Sequence, residues 1–598
     1  MTTTEKLTAL RRAMAQRGLA AYLVLTDDFH ASEYVGGYFK AREYLSGFTG
    51  SAGTLLVLPS RALLWTDGRY FLQAEEQLAD SGIELMRSGE PGVPTLADFL
   101  FAQLEEGSLL GFDARTVSTA LARRLGKKLS AKKIRFSGGE DLVDALWPDR
   151  APLSAAPVWE LGVEYAGETR ADKLARVRTA MEREGADAFI VTALDELAWL
   201  LNLRGDDVAC TPVFLGFLLL TKDAATLCAR ESAVGVQIEA ALAADGVRLA
   251  DYADIYALVS ALPRGTRVLL DGASANYRLT QSLPEGAQAL ERPSPIAAMK
   301  AVKNETEQEN FRRAHLDDGV ALTRFFCWLK RDAVREGASE LSAAAKLEEY
   351  RRESADYLGP SFAPILAYGP HGAIVHYEPT TESDAPLEAR GLLLADTGGH
   401  YRTGTTDVTR TVALGPVTAE EKRACTLVLR GHLALAAARF RTGVTGENLD
   451  ILARGPLWDE GLDYNHGTGH GVGYLLSVHE GPQRIHWKLA PDARPIELKP
   501  GMAFSDEPGL YFAGKFGVRL ENLVLVRTAE ENGYGCFLSL EPLTLAPFDR
   551  DIVDPSLLSD RELSQLNAYH ARVYEALAPQ LDAPTRAWLR ETTAPMRK

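Results

Sequence analysis

The sequence predicts a protein of mixed class, with two similar α/β domains followed by an α+β region. Its 598 residues exceed what a single hydrophobic core normally organises, so we expect two to four domains. A pattern near the amino terminus recurs far along the chain, and beyond about residue 300 short strand patterns alternate with glycine-rich loops. Repetition predicts the two α/β domains, and the later change of pattern predicts the third region.

The repeat is visible when Lys6 is aligned with Lys173, 167 positions later. Each copy opens with a helical period, breaks at a glycine and continues into a short apolar strand, Ala21–Leu25 or Ala188–Val191. The identical pairs are Lys6 and Lys173, Leu7 and Leu174, Arg11 and Arg178, Ala13 and Ala180, Met14 and Met181, Gly18 and Gly185, Ala21 and Ala188, and Val24 and Val191. We therefore expect one α/β unit used twice.

Proline-rich and charged segments mark the predicted boundaries. The stretches 147–157 and 291–296 read as linkers, which divides the chain into domains 1–156, 157–298 and 299–598. The third domain starts with a long helix, for which Asn304 and Glu307 form a capping-box pattern, and carries a helical extension from about residue 550.

Composition excludes several functional classes. The 81 acidic residues outnumber the 65 basic ones, giving a net charge of −16, and no basic aromatic motif occurs, so we expect no nucleic-acid partner. The longest apolar run, Pro212–Leu220, is too short to span a bilayer, and the start lacks a signal-peptide core, so we expect neither membrane insertion nor secretion. Five scattered cysteines without a C-x-x-C pair predict buried free thiols and a cytoplasmic location.

The candidate chemistry lies in the third domain, where eight of the eleven histidines fall within residues 371–486. Asp396 ends an apolar strand, a glycine-rich turn follows, and Asp407 lies in the Thr/Val strand that returns. A hairpin would bring the two carboxylates together. Asp396 alone is as consistent with a turn residue as with a ligand, whereas strand interiors disfavour aspartate and Asp407 therefore needs a partner.

Two glutamates, like Asp407, are acidic residues within strand-like runs. Glu507 and Glu521 lie in strand-like runs, although Glu521 beside Arg519 is equally consistent with a solvated strand face. The glycines of His466-Gly-Thr-Gly-His470 allow close approach of the backbone to a ligand or metal, and the loop lacks the lysine of a phosphate-binding loop.

Two aspartates, two glutamates and one histidine would form a site of mainly oxygen donors. Four carboxylate charges match two divalent cations better than one. Hard oxygen ligands favour Mn²⁺, with Zn²⁺, Co²⁺ and Fe²⁺ as alternatives, and such a pair of ions activates water and polarises a carbonyl. The pattern therefore predicts hydrolysis.

These motifs resemble those of the pita-bread metallopeptidases, and most closely the long, three-domain cytosolic form of Xaa-Pro aminopeptidase, or aminopeptidase P. The motifs are Asp396-Thr-Gly, Asp407-Val-Thr-Arg-Thr, His466-Gly-Thr-Gly-His470, Val478-His479-Glu-Gly-Pro, Glu507-Pro-Gly and Val518-Arg-Leu-Glu521-Asn, with Ser46-Gly-Phe-Thr-Gly, Trp65-Thr-Asp-Gly-Arg69 and Asp195-Glu-Leu-Ala-Trp in the earlier domains. The resemblance covers nearly the whole chain. It implies two creatinase-like α/β domains followed by a pita-bread catalytic domain.

The resemblance also implies an activity and a ligand set. The activity is removal of an N-terminal residue when proline is second, through a hydroxide that bridges two metal ions. Asp396 and Asp407 would hold the first ion, His470 and Glu507 the second, and Asp407 and Glu521 would bridge them. The implied partners are Xaa-Pro peptides and a second copy of the chain in a homodimer.

Further residues match substrate-site positions of the family. His376, His466 and His479 would act in catalysis, by hydrogen bonding to the substrate carbonyl and passing a proton to the leaving proline nitrogen. Arg519 would support a ligand carboxylate, and Arg69 would bind substrate.

The chain departs from the family pattern at two positions, where His371 replaces a usual asparagine and Leu510 a common aromatic residue. Four alternatives share the fold. A prolidase would cleave only dipeptides, methionine aminopeptidase lacks the two preceding domains, creatinase lacks the metal ligands, and non-enzymatic binding proteins usually lose them. The complete ligand set with three histidines favours catalysis, and the duplicated domains favour the aminopeptidase.

Overall fold

A computed structural model describes residues 1–139, 141–489 and 494–598. The chain forms two compact units. Residues 1–163 and 168–297 make up the N-terminal unit, which contains both predicted α/β domains, and residues 164–167 and 298–598 make up the C-terminal unit. The three-domain boundaries derived from the sequence stay a prediction.

The N-terminal unit contains two six-stranded sheets, each flanked by helices. The first half consists of α1 (Thr3–Gln16), β1 (Ala21–Leu25), α2 (Ala41–Ser46), β2 (Thr54–Val57), β3 (Ala62–Thr66), α3 (Phe71–Gln77), β4 (Glu84–Arg87), α4 (Leu96–Gln103), β5 (Leu109–Gly111), α5 (Thr119–Leu129) and β6 (Arg135–Ser137). The second half consists of β7 (Trp159–Glu160), α7 (Arg170–Glu184), β8 (Ala188–Val191), α8 (Leu194–Leu201), β9 (Leu203–Arg204), β10 (Gly216–Thr221), β11 (Ala225–Ala229), α9 (Val236–Ala244), β12 (Val247–Asp251), α10 (Ile255–Ser260), β13 (Arg267–Leu270), α11 (Tyr277–Gln281) and β14 (Gln288–Glu291). Two helices, α6 (Val163–Ala166) and α12 (Pro295–Ala301), begin in this unit and end in residues of the C-terminal unit.

The two sheets have the same topology, which confirms the predicted duplication. Their strand orders are β4-β3-β2-β1-β5-β6 and β12-β11-β10-β8-β13-β14, and corresponding neighbours pair in the same parallel or antiparallel sense. Helix α1 begins 167 residues before helix α7, as the repeat requires. The central strands β1 and β8 are buried along their whole length, which explains their continuous apolar sequence.

The C-terminal unit begins with the predicted long helix, and the Asn304–Glu307 capping box is present. Its elements are α13 (Glu305–Trp328), α14 (Glu340–Arg351), β15 (Tyr357–Pro360), β16 (Ile365–Tyr368), β17 (Leu392–Thr397), β18 (Gly399–Tyr401), β19 (Gly404–Thr405), β20 (Val408–Ala413), α15 (Ala419–Ala436), β21 (Arg439–Arg441), α16 (Gly446–Trp458), β22 (Gly469–His470), β23 (Arg484–Ile485), β24 (Ala503–Asp506), β25 (Gly509–Phe512), β26 (Phe516–Arg519), β27 (Asn522–Asn532), β28 (Gly535–Pro542), α17 (Asp560–Leu577) and α18 (Ala583–Thr592).

Antiparallel strands organise the C-terminal unit around its core. One sheet has the order β16-β17-β20 and another the order β21-β28-β27-β24. Apolar clusters pack helices α13 and α14 on the first sheet and helix α16 on the second, while α17 and α18 pack beside α13. The carboxylates of interest therefore lie in these strands or directly beside their ends.

Two further sequence predictions can be compared with the structure. Within the part of the chain that the structure describes, no helix has the length and apolar character needed to cross a bilayer. All five cysteines are free, but only Cys228, Cys327 and Cys425 are buried, whereas Cys210 and Cys536 are half-buried. The prediction that all five are buried was therefore wrong in part, since Cys536 lies in β28 next to the hairpin turn and Cys210 lies in a connecting loop.

Candidate metal centre

Asp396 and Asp407 are brought to the same end of a strand pair. Asp396 is in β17, opposite Thr409 of the antiparallel strand β20, and the short strands β18 and β19 form the turn between them. Asp407 precedes the first residue of β20 rather than lying inside the strand as predicted. Both aspartates are buried. Because Asp407 lies at the end of the strand, the interior of β20 is left to the β-branched residues that strands favour.

Glu507 and Glu521 come from the second sheet. Asp506, the last residue of β24, pairs with Asn522, the first residue of β27, so the two glutamates lie one step beyond a paired strand end. The predicted continuous strand through Glu521 is wrong, because β26 ends at Arg519 and the chain turns before β27 begins. The break lets Glu521 turn inward, where its backbone N–H donates to the Thr409 carbonyl at 3.0 Å.

His470 approaches these carboxylates from the short strand β22. Its Nε2 is 3.4 Å from Asp407 Oδ2 and 3.4 Å from Glu507 Oε1, and its Nδ1 is 3.0 Å from the Gly471 carbonyl. Position 469 must be glycine because the backbone of Ser505 lies directly against it: a Cβ there would be 1.8 Å from the Ser505 carbonyl oxygen. The sequence predicted that glycines in this loop let the backbone approach a ligand or metal. In the structure, Gly469 lets the loop pack against the backbone of Ser505.

One ligand atom each from Asp407, His470 and Glu521 lies within 4.8 Å of the others. Burial and then the charges of the other three carboxylates raise the pKa of Glu521 well above its ordinary value. Burial raises the pKa of Asp396 to about 6 against the opposing effect of Arg519. Although burial lowers the pKa of His470, Asp407 and Glu507 raise it to about 9. The cluster therefore attracts positive charge.

The donor set fits metal ions. Asp396 Oδ1 and Glu521 Oε1 are buried and have no hydrogen-bond partner among the described residues. Their other oxygens are used, because Arg519 Nη2 donates to Asp396 Oδ2 at 2.5 Å and Thr409 Oγ1 donates to Glu521 Oε2 at 2.8 Å. Buried carboxylate oxygens without partners are costly unless a cation binds them, so these two atoms are suited to coordinate one.

The three predicted catalytic histidines lie in the C-terminal unit with different partners. His466 Nε2 is 2.8 Å from Tyr511 Oη, and the same hydroxyl accepts from Arg519 Nη1 at 2.7 Å. The ring of His479 is 4.3 Å from that of His470. His376 follows Val375, whose carbonyl accepts from Arg519 Nη2 at 3.2 Å. Arg519 is thus bonded to Asp396, to the backbone before His376 and to Tyr511, the hydroxyl partner of His466.

A buried arginine on helix α16 holds the loop that carries His466 and His470. Arg454 donates to the carbonyls of Tyr464 at 2.8 Å and His466 at 2.7 Å, and to Asp450 at 2.8 Å. Asp450 in turn accepts from Thr468 Oγ1 at 2.6 Å. Sequence reasoning missed this pair. Its signal was a charged i, i+4 pair on an otherwise apolar helix face, which is common on solvated helices.

The loop of His479 is held by a second buried ionic group that sequence reasoning also missed. Glu480 accepts from Lys303 Nζ at 2.9 Å and forms an ion pair with Lys300 Nζ at 2.9 Å, and all three side chains are at most 2% exposed. The Glu480 N–H donates to the Gly471 carbonyl at 2.8 Å. Because these lysines are far from Glu480 in sequence, only the fold reveals the pairing.

The structure also shows the contacts of Arg69, predicted to bind substrate, and of His371 and Leu510, the two positions that depart from the family pattern. Arg69 lies in the N-terminal unit, where it binds Asp67 and, at 3.0 Å, Glu33. His371 Nδ1 is 2.8 Å from the fully buried Glu340, and its ring stacks on Tyr377. Leu510 is buried in the core, while the next residue, Tyr511, supplies the aromatic hydroxyl of the site.

Models of known families match the chain from end to end. The Creatinase/Prolidase N-terminal domain matches residues 6–146 and, in a second model, residues 149–307. Metallopeptidase family M24 matches residues 309–528, and the C-terminal region of peptidase M24 matches residues 536–596. These matches confirm the predicted fold of two creatinase-like domains and a pita-bread catalytic domain.

Several full-length relatives are similar. A probable Xaa-Pro aminopeptidase P of Laccaria bicolor is 41% identical over 99% of this chain and 94% of its own length. Aminopeptidase P1 of Arabidopsis thaliana is 37% identical over 99% of both. The crystal structure of an X-prolyl aminopeptidase from Caenorhabditis elegans, described as a cytosolic enzyme with a di-nuclear active site, is 35% identical over the whole of both chains with a TM-score of 0.94.

Proposed function

The chain belongs to metallopeptidase family M24 in its long, aminopeptidase P form, and from this membership we propose that it hydrolyses the bond between an N-terminal residue and a following proline. The observation that carries the proposal is the cluster of Asp407, His470 and Glu521, with Glu507 3.4 Å from His470 and with buried oxygens of Asp396 and Glu521 that lack partners among the described residues. Relatives that match the chain over its whole length support the same activity.

We infer two divalent cations, with Asp396 and Asp407 as ligands of the first, His470 and Glu507 as ligands of the second, and Asp407 and Glu521 between them. The raised pKa values of Asp396 and Glu521 support this charge balance, because burial and then the neighbouring carboxylates disfavour the charged forms of both groups, which a cation would stabilise. When bound, two such ions lower the pKa of a shared water and polarise the scissile carbonyl. Oxygen-rich ligands favour Mn²⁺, with Zn²⁺, Co²⁺ and Fe²⁺ as the competitors.

The protein's own side chains would orient the substrate and move protons. His376, His466 and His479 would hydrogen bond to the substrate carbonyl and deliver a proton to the departing proline nitrogen. Tyr511 holds the ring of His466 at 2.8 Å, and Arg519 keeps one Asp396 oxygen engaged so that the other faces the site. Arg69 would contact the peptide.

Proline in the second position has a physical basis. An Xaa-Pro bond is a tertiary amide with no N–H and a locked ring, so its departing nitrogen must receive a proton at a fixed orientation. A set of histidines near the metal ligands suits this task. We therefore propose peptides with proline second as substrates.

The test is mass spectrometry of peptides incubated with the Mn²⁺-loaded protein. An Arg-Pro-Pro tripeptide should lose its first residue, while an Ala-Pro dipeptide and a matched tripeptide without proline at the second position should remain largely intact. Cleavage confined to the dipeptide would identify a prolidase. Absence of cleavage with Mn²⁺, Zn²⁺ and Co²⁺ would contradict catalysis and favour a binding protein with the same fold.

We also propose a homodimer in the cytoplasm. Trp458 and Trp487 are 38% and 43% exposed with ring centroids 5.8 Å apart, an apolar pair that a second copy could cover. Sedimentation velocity should give a dimer for the wild type and a smaller species for Trp458→Ser. Tyr534→Ser, at an exposed hairpin turn, is the matched control and should remain dimeric. Subcellular fractionation of the source cells should recover the protein with cytosolic markers.

A further inference from the structure

The helical C-terminal extension, for which the sequence predicts no chemistry, is bonded to the strands that carry the candidate metal ligands. The connection runs through Arg410, a fully buried residue of β20 three positions after Asp407. Its guanidinium has neutral hydrogen-bond acceptors on two sides. One side belongs to the ligand strands and the other to the segment that leads into helix α17.

On the side of the metal ligands, Arg410 holds the backbone at Glu521. Nη1 donates to the Thr409 carbonyl at 2.8 Å and to the Glu521 carbonyl at 2.5 Å, and Nη2 donates to Asn522 Oδ1 at 2.7 Å. Thr409 is also the residue whose hydroxyl donates to the Glu521 carboxylate. The guanidinium therefore joins strands β20 and β27, next to whose first residues the candidate ligands Asp407 and Glu521 lie.

On the other side, the segment that precedes the extension and helix α17 of the extension supply the remaining acceptors. Nε donates to the Pro547 carbonyl at 3.1 Å, and Nη2 donates to the Ala546 carbonyl at 2.8 Å and to Tyr569 Oη at 3.0 Å. The Tyr569 hydroxyl is itself 2.9 Å from the Ala546 carbonyl and 3.3 Å from Asn522 Oδ1. Tyr569 thus contacts both Arg410 and the residue directly after Glu521.

A buried guanidinium must have its five N–H donors satisfied, so its position follows the acceptors around it. Six acceptors surround those five donors, and three of them, Asn522 Oδ1, the Ala546 carbonyl and Tyr569 Oη, share the two N–H groups of Nη2. Removing the Tyr569 hydroxyl leaves Nη2 to its other two acceptors, so we expect the guanidinium to move toward them and the Glu521 carbonyl, which is bonded to Nη1, to move with it. We propose that Tyr569 is a positioning residue of the metal centre, which acts through Arg410 on the backbone of Glu521. The proposal rests on the proposed metal site, and it assigns the extension a role in metal affinity.

The test compares two tyrosines of the same helix. Tyr569→Phe removes only the hydroxyl from the Arg410 network, and Tyr574→Phe removes a hydroxyl that accepts from Arg590 Nε at 3.0 Å on the surface. Binding of Mn²⁺ to metal-depleted full-length protein is measured by calorimetry, and thermal midpoints are recorded in parallel. We expect Tyr569→Phe to weaken Mn²⁺ binding about 10- to 100-fold and Tyr574→Phe to bind as the wild type does.

Wild-type Mn²⁺ affinity in Tyr569→Phe would overturn the proposal, and so would a lower thermal midpoint with unchanged affinity, which is the result expected of packing alone. Absence of Mn²⁺ binding by the wild type would instead contradict the proposed metal site. Arg410→Lys keeps the charge but loses the planar fork of donors, and it should weaken Mn²⁺ binding at least as much. If that variant does not fold, Tyr569→Phe still decides the question.

Discussion

Both units contain a buried histidine, but the two histidines have opposite environments. In the N-terminal unit, His30 Nδ1 is 2.8 Å from the Thr192 carbonyl and Nε2 is 2.7 Å from Tyr252 Oη, and burial lowers its pKa. In the C-terminal unit, His470 lies between two carboxylates, and its pKa is raised to about 9 despite burial. His30 hydrogen bonds the first half of the N-terminal unit to its second half, whereas His470 belongs to a cluster of charged groups.

Buried arginines show the same contrast. Arg42 bonds to Thr26 and to the Phe48 and Gly50 carbonyls, and burial lowers its pKa to about 10. Burial lowers the pKa of Arg519 too, but Tyr511 and the nearby carboxylates raise it well above its ordinary value. Residue type and burial are alike in the two units, so it is the charge of the partners that distinguishes a functional site from a structural joint.

The largest expected effect comes from Asp407→Asn. It removes a charge shared by both proposed ions, so metal content and turnover should both be abolished. Asp28→Asn, at a buried aspartate of the N-terminal unit that accepts from backbone N–H groups, is the matched control and should retain metal. Elemental analysis and the tripeptide assay measure both quantities. Normal turnover by a metal-verified Asp407→Asn preparation would contradict the ligand assignment.

His479→Ala should separate chemistry from metal binding. The ring packs 4.3 Å from that of His470 without being one of the proposed ligands. Loss of a proton donor typically lowers kcat about 10²- to 10⁴-fold. Elemental analysis should therefore find wild-type metal content in a variant with a low kcat, and an equal loss of both would make His479 a ligand instead.

Arg454→Lys should produce a smaller loss of activity, because it preserves the charge while loosening the carbonyls of Tyr464 and His466. We expect kcat to fall about tenfold or more as the loop that carries His470 loses its fixed geometry. Arg42→Lys makes the same substitution at the structural joint of the N-terminal unit. Its thermal midpoint should fall while kcat stays at the wild-type value. Equal effects of the two variants on kcat would contradict the proposal that Arg454 supports the site and Arg42 only the fold.

The smallest effect concerns acid stability. His570 accepts from the Phe548 N–H at 3.2 Å, and burial lowers its pKa to about 3. Between pH 6.5 and 3 the unfolded chain binds a proton that the folded chain excludes, so stability falls as the pH falls. From pH 7 to pH 5 this group should remove about 2 kcal/mol. Urea unfolding of His570→Gln should show a shallower pH dependence than the wild type, and an unchanged slope would contradict this role.

Sequence reasoning was most successful where the determinants are local. Each copy of the repeated helix–strand segment and the Asn304 cap is recognised from the spacing of residues in a short stretch of chain, and all of them are present in the structure. It failed at strand ends, since Asp407 and Glu521 each lie just outside a strand. Hydrogen-bond pairing decides where a strand ends, and that pairing involves residues distant in sequence.

The duplicated architecture, the family and the residue types of the candidate centre can all be predicted from the amino-acid sequence, because periodicity and motif spacing are properties of short segments. The residues that support that centre become apparent only in the folded chain. Arg410, Arg454 and the pairing of Glu480 with Lys300 are buried charges whose partners come from separate elements. The sequence does not show which residue a charged side chain will pair with. The partner becomes necessary only when folding removes the charged side chain from water.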